Sequence, residues 1–394
     1  MAKPRIGILT GGGDVPPLNA AISAAQKAAA QHGMELIGFL KGWEGVIENR
    51  YIPLSRLRVN SDIGGTVLKS SRVNLATVPG ASQRVLDNLK RLRLRGLIVI
   101  GGEDTLSNSL ILKDFPQVLI SKTIDNDVGI LRLSTGNKST PEIVNYFTLG
   151  YPTAADKISK FVSLQYGLRS TAYSHERIIV VESMGMHTGW LALASCMGNP
   201  DFIIIPEFPL DYEIFKERVG LRYEQNRNVI VVIAEGSRWK NGAFVSADER
   251  EKDQFSHPRF KGAASVLAER LKQDLKKRFD TRNVNAVNPS YLYRSGAPSR
   301  LDADFAQKLG TKAVQLLAGD LDDSILLTIQ RNSRSFELGT YSVKGLGTIH
   351  KLHRFVHRDF YDESEHTATK EARKYLKQIV EQVPRAEYGL KLKD

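Results

Sequence analysis

The feature that most constrains this fold is an alternation of short apolar runs with helical stretches, joined by glycine-bearing turns. Ile6-Gly-Ile-Leu9, Leu36–Leu40, Gly96-Leu-Ile-Val-Ile100 and Val118-Leu-Ile-Ser121 read as buried strands, and the Ala-rich Pro17–Gln31 reads as a helix. Strands apolar on both faces, with helices between them, belong to parallel, doubly wound sheets. The pattern restarts after a polar stretch, Gly129–Thr140, with Ile178-Ile-Val-Val181, Phe202-Ile-Ile-Ile205 and Val229–Ile233. A chain of 394 residues accommodates two such lobes. Trp239–Lys261 is charge-rich and aperiodic, as an extended surface loop would be, and Lys370–Val383 reads as a basic helix.

Charge narrows the partners. Lys and Arg number 55 against 43 Asp and Glu, a net +12 that favours anions. The excess is spread out, and its clusters, Lys90–Arg95 and Lys272–Arg278, read as solvated helix faces without a zinc-finger spacing or an RNP-like aromatic motif. Either nucleic acid or small phosphates would suit that balance, and net charge alone does not decide between them. There is no apolar run long enough to span a membrane. The opening Met-Ala-Lys-Pro-Arg leads into a strand without the apolar core of a secretory leader, so a cytoplasmic location is expected. The single cysteine, Cys196, reads as a small core residue.

Three turns at strand ends carry chemistry. Thr10-Gly-Gly-Gly-Asp14 lets backbone N–H groups close on an anion at a helix N-terminus, although a plain strand-to-helix turn accounts for it equally well. Ile100-Gly-Gly-Glu-Asp-Thr105 sets two carboxylates at a strand end, where they suit Mg²⁺ shared with phosphates, or cap a helix. Ser121-Lys-Thr-Ile-Asp-Asn-Asp127 puts a cation, a hydroxyl and two carboxylates into seven residues. Phosphoryl transfer needs such a set: fixed positive charge, a metal and an acceptor for the nucleophile's proton.

In order and spacing these turns resemble the GGD, GGDG or GGDD, and TIDND motifs of the phosphofructokinase family. Gly64-Gly-Thr-Val-Leu-Lys-Ser-Ser-Arg72, His175-Glu-Arg177, Glu182-Ser-Met-Gly-Met-His-Thr-Gly189, Ile205-Pro-Glu207, Ala234-Glu235 and Pro289-Ser-Tyr-Leu-Tyr-Arg294 follow in register. The likeness covers roughly residues 5–320. It implies an α/β protein of two doubly wound Rossmann-like lobes with mostly parallel sheets. Residues 1–150 would form the phosphoryl-donor and metal-binding lobe, 151–320 the sugar-phosphate-binding lobe, and 321–394 a C-terminal extension packing on both.

The resemblance also implies roles. Asp125 would be the general base, Thr123 would hold the transferring phosphoryl group, and Asp127 would orient Asp125 or the metal's water shell. Gly12 would give its N–H to the donor phosphate, Glu103 would face Mg²⁺, and Arg72 would balance donor charge. Arg177, Met184, Gly185, Met186, Glu235, Tyr291 and Arg294 match the sugar-phosphate pocket. In the family the arginine matching Arg177 reaches in from a neighbouring subunit, so a homo-oligomer, dimer or tetramer, is implied. Met184 and Tyr291 would otherwise be read as core residues.

ATP-using members typically carry Gly where this chain has Asp104 and Lys122. A carboxylate at 104 repels a nucleotide's α-phosphate, and an ammonium at 122 stabilises charge on pyrophosphate. The pair resembles the pyrophosphate-dependent branch, as do Pro289-Ser-Tyr and Asn145–Ala155. The expected reaction is therefore transfer from pyrophosphate to the 1-hydroxyl of fructose 6-phosphate, a glycolytic step. The alternatives are an ATP-dependent or other sugar-phosphate kinase, or a weakly catalytic regulatory paralogue.

Four positions depart from the family: Pro17 and Lys69 replace glycines, Asn285 takes the usual place of a second cross-subunit arginine although Arg282 lies close, and Met186 replaces an arginine. Met186 stands where an arginine supports the transferring phosphoryl group, and a thioether cannot supply that charge. Loss of such a donor costs about 2.7–4 kcal/mol when nothing compensates. Either Lys69 fills in at the donor phosphate, or the substrate differs, or the chain is a weakened paralogue.

Overall fold

The structure, a computed structural model, describes residues 3–112, 115–129, 131–133, 141–143, 145–252, 258–260, 262–321, 323–333 and 335–384. It separates into two compact units: residues 1–153 with 294–354, and residues 154–293 with 355–394. This differs from the three consecutive segments expected. Residues 325–331 and 336–342 are strands of the first unit's sheet, and the chain returns to the second unit only after Arg354.

The first unit is built on β1 (Arg5–Gly11), α1 (Leu18–Gln31), β2 (Glu35–Phe39), α2 (Trp43–Ile47), β3 (Tyr51–Pro53), α3 (Ala81–Arg91), β4 (Leu94–Gly101), α4 (Glu103–Ser109) and β5 (Gln117–Thr123). The sheet order is Phe336–Ser342, Ile325–Arg331, β5, β4, β1, β2, β3, antiparallel only at its two outermost pairs. From Ile6 to Gly11 every residue of β1 is buried, as parallel strands covered on both faces require. Register decides where the chemistry sits: Gly11 pairs with Gly101, and Gly101 with Ser121. The three turns read from the sequence thus leave the sheet at one edge, the carboxyl ends of adjacent strands.

One face of this sheet is covered by α1 and the helix Arg300–Ala318. Ala20, Ala21, Ala25 and Ala28 are buried on α1, and a side chain at Gly310 would come within 2.3 Å of the Ala21 carbonyl. Small residues on both helices therefore let their backbones approach closely. The opposite face carries Phe39, Trp43, Leu89, Leu97, Leu119, Ile349 and Leu352 in one cluster.

The second unit holds four parallel strands in the order Phe202–Ile204, Val229–Ala234, Ile178–Ser183, Val284–Val287. Its core includes Val180, Phe215, Val231, Ile233, Leu267 and Leu271. Cys196 is buried here, and burial pushes its thiol up to about 12. Two segments depart from the sequence reading. Trp239–Lys261 contains a strand pair, Ala247–Lys252 with Pro258–Phe260, whose polar composition gave no period to read; residues 253–257 and 261 lie outside those described. The C-terminal helix runs only from Lys370 to Leu376 and then tightens into turns closed by Gln378 N–H to Tyr375 O and Ile379 N–H to Leu376 O. Part of the polar stretch 129–140 is also outside the described residues. Among the described residues no helix is long and apolar enough to cross a membrane.

Candidate active site

The first turn is held open by its neighbours. Gly12 adopts φ 80°, which glycine reaches without a Cβ penalty, and its N–H donates to Ser71 O at 3.1 Å while its carbonyl accepts from Ser70 Oγ at 2.5 Å. Thr10 Oγ1 lies 2.9 Å from Thr66 Oγ1 and donates to Lys69 O at 3.1 Å, so residues 64–72 line this turn. Lys69 has φ 61°, a left-handed backbone, and its side chain is exposed, as is that of Arg72.

Lys122, at the end of β5, is only 2% exposed, and its ammonium donates to the Gly13 carbonyl. Burial lowers its pKa to about 8; Asp14 and Asp127 pull it back up, while Arg294 and Arg72 push it further down. Arg294 Nε stands 3.4 Å from Asp14 Oδ1. Lys122, Arg72 and Arg294 therefore bring cationic side chains to the first turn at the sheet edge, suited to an oxyanion of high charge, whereas the Gly12 N–H expected to meet the donor phosphate is engaged by Ser71 O. The sequence had grouped Arg294 with the sugar-phosphate residues, and the structure sets it beside the first turn.

The second turn opens α4. Asp104 is exposed, whereas Glu103 is 12% exposed and meets two histidines: His350 Nδ1 contacts Oε1, and His353 Nδ1 lies 3.1 Å from Oε2. Glu103, Asp127 and His353 offer ligand atoms within 4.8 Å of one another. Asp127 Oδ1 is buried and makes no hydrogen bond among the described residues. A carboxylate oxygen held dry and unbonded is costly unless a cation completes it, so this donor set fits a divalent metal.

The third turn is fixed from two sides. Thr123 Oγ1 accepts from the Asp125 N–H at 3.1 Å, and Thr148 Oγ1 donates to Thr123 O at 2.7 Å. Asn126 is fully buried with φ 55°, and its Oδ1 accepts from Thr148 N at 3.1 Å. From the other side, residues 352–354 pair with 127–129: Gly129 N–H donates to Leu352 O at 2.9 Å, Val128 bridges His353, and Arg354 N–H donates to Asp127 O at 2.8 Å. The Arg354 side chain, 0% exposed, donates to the carbonyls of Asn126, Asn145 and Tyr146 at 2.9, 2.6 and 3.1 Å.

In the second unit, Ala234 pairs with Ser183, so Met184-Gly185-Met186 and Glu235 emerge from adjacent strand ends. Glu235 Oε1 accepts from Gly185 N at 3.2 Å. Met184 and Met186 are half-buried, and Tyr291 is 64% exposed rather than a core residue. Arg177 precedes the strand Ile178–Ser183 and so lies at its opposite end, about 20 Å of strand from Met184. Its guanidinium contacts Thr171 Oγ1. Arg282, the cation nearest in sequence to Asn285, is bound to Asp280 at 2.7 Å.

Sequence reasoning missed His350, His353 and Arg354. The signal available was the dense basic run His350-Lys-Leu-His-Arg354 in a tail outside the resemblance, with Ile349 and Leu352 as apolar anchors three apart.

Comparison with known proteins completes the picture. The family profile described as Phosphofructokinase matches residues 5–317. A pyrophosphate--fructose 6-phosphate 1-phosphotransferase of Dictyoglomus thermophilum is 39% identical over 80% of this chain and 87% of its own length. An ATP-dependent 6-phosphofructokinase 3 of Streptomyces coelicolor is 36% identical over 79% of this chain and 86% of its own. The solved pyrophosphate-dependent phosphofructokinase of Nitrosospira multiformis shares the fold at a TM-score of 0.79 and 19% identity, over 99% of this chain and 95% of that one.

Proposed function

The chain belongs to the phosphofructokinase family, and from that premise we propose that it transfers a phosphoryl group from pyrophosphate to the 1-hydroxyl of fructose 6-phosphate. Asp125 takes the hydroxyl proton as the sugar oxygen forms its bond to phosphorus. The bond from that phosphorus to the bridging oxygen breaks, and inorganic phosphate leaves. Lys122, Arg72 and Arg294 neutralise the leaving phosphate, and Thr123 steadies both the transferring group and the loop of Asp125. Glu103 and Asp127 would hold Mg²⁺, which would supply further neutralisation of phosphate charge.

One observation carries the donor choice: the Lys122 ammonium, buried against the Gly13 carbonyl beneath the first turn. A buried cation acts in a low dielectric, where it stabilises developing charge far more than an exposed one. Pyrophosphate lacks the adenosine contacts that add binding energy to ATP, so it gains most from such a charge. Exposed Asp104, on the first turn of α4, adds repulsion against a longer polyphosphate. Relatives bearing both donor names make the assay decisive. Purified protein is offered pyrophosphate and ATP against several sugar phosphates, and turnover of ATP with little from pyrophosphate overturns the reading.

Arg177 supports a homo-oligomer. It lies at the far end of its strand from Met184 and Glu235, so within one protomer that strand cannot bring it to them. A neighbouring copy would supply it, as in the family pattern. A second reading, a weakly catalytic regulatory paralogue, is favoured by Met186, whose half-buried thioether brings no charge, and by Asn285 in an arginine's place.

A further inference from the structure

The divalent-cation site has a third side that the family-matched residues do not provide. Residues 349–354 lie beyond the matched region, which ends at 317. They are anchored by Ile349 and Leu352, at 0% and 2% exposure, and paired through their backbone to 127–129. The pairing fixes His353 directly against the loop that carries Asp127. Its side chain is 13% exposed, and its Nδ1 is 3.1 Å from Glu103 Oε2. With Glu103 and Asp127 it presents ligand atoms within 4.8 Å of one another, while Asp127 Oδ1 makes no hydrogen bond among the described residues. Side-chain rotations that draw these atoms together would place such a set around one ion at about 2.0–2.2 Å.

We infer that His353 is a ligand of the divalent cation, making a site of two carboxylates and one imidazole. Such a site differs from an all-oxygen one. Mg²⁺ takes carboxylate and water oxygens, whereas imidazole favours Mn²⁺ and still more Co²⁺. The chain is therefore built to bind Co²⁺ and Mn²⁺ more tightly than Mg²⁺, even before substrate arrives. The inference rests on the phosphotransfer reading only for the cation's use, since the site itself is assembled from groups of one compact unit. The competing account is that His353 merely orients Glu103 through the hydrogen bond.

The test uses the full chain without sugar or phosphate, so its outcome is independent of whether the protein turns over pyrophosphate. Mn²⁺-loaded protein is examined by pulsed EPR for coupling to an imidazole nitrogen, and Co²⁺ affinity is measured by visible absorption. Coupling is expected in the unmodified protein and in His350→Ala, and is expected to vanish in His353→Gln. That variant can still hydrogen-bond Glu103, yet its Co²⁺ affinity should fall about 10–100-fold, with a smaller change for Mg²⁺. Absence of nitrogen coupling in the unmodified protein overturns the inference. So does a folded His353→Gln with unchanged Co²⁺ affinity. Should that variant fail to fold, the spectra of the unmodified protein and His350→Ala decide alone.

Discussion

Arg354 Nε donates to the Asn126 carbonyl at 2.9 Å, joining a fully buried guanidinium to the residue between the two carboxylates of the third turn. The same guanidinium also binds the carbonyls of Asn145 and Tyr146. Its planar fork thus satisfies carbonyls on two segments at once, which the single ammonium of a lysine cannot reproduce. Removing it leaves buried acceptors without a donor, at about 1–3 kcal/mol each.

Arg354→Met is therefore expected to lower the thermal midpoint and loosen the loop that carries Asp125. A misplacement of about 1 Å there is worth on the order of 100-fold in rate. Arg354→Lys should recover part of the stability and less of kcat. The decisive comparison is kcat against KM at a temperature where both variants stay folded. A lowered midpoint with unchanged kcat would leave Arg354 a purely structural residue.

Asp125→Asn tests the base. Asparagine keeps the size of the side chain and the main-chain bond to Thr123 Oγ1, so folding and substrate KM should change little. Loss of general-base catalysis should lower kcat by about 10²–10⁴. Near-normal turnover would remove Asp125 from that role.

Lys122 sets an opposed pair of pH dependences. Burial lowers its pKa from the ordinary 10.5 to about 8, so the free enzyme loses this charge as pH rises through that value. Use of pyrophosphate, read as kcat/KM, should decline above about pH 8, and Lys122→Arg should move that limb to higher pH. Stability runs the other way. Between pH 8 and 10.5 the unfolded chain holds a proton that the folded chain has released, so stability rises with pH across that window. A Lys122→Met variant, followed by denaturant titration, should lack this slope. Asp104→Gly with Lys122→Gly should weaken use of pyrophosphate and admit ATP.

The strand ends were legible because glycine and charge interrupt apolar runs there, and parallel register then brings Gly11, Gly101 and Ser121 to one edge. Glu103, Lys122 and Asp127 stood out since a loop has no structural need of them. The contact between Glu103 and His353 spans 250 residues and could not be read in the same way. Nothing local marks 349–354 as paired with 127–129, for backbone pairing is indifferent to side-chain identity and the anchors Ile349 and Leu352 resemble any short apolar spacing. The discontinuous units escaped for the same reason. Each of the strands 325–331 and 336–342 reads as apolar or mixed, but only long-range pairing tells which sheet it joins.

Lys69 and Met186 supply the test that separates an active enzyme from a weak paralogue. Lys69 occupies a backbone of φ 61°, where glycine would sit without strain and a side chain costs about 1–2 kcal/mol. Lys69→Gly should therefore hold or raise the thermal midpoint, so that a fall in activity cannot be attributed to unfolding. If the exposed Lys69 ammonium stands in for the missing arginine, Lys69→Gly abolishes most turnover. Met186→Arg should then raise kcat and make Lys69 dispensable, because the two charges would serve one phosphoryl group. A double-mutant cycle on kcat/KM reads that dependence directly, as a coupling well beyond the additivity of independent sites. Unchanged activity in Lys69→Gly would show that the lysine only meets solvent, and a protein inert with every donor, even after Met186→Arg, would favour the regulatory reading.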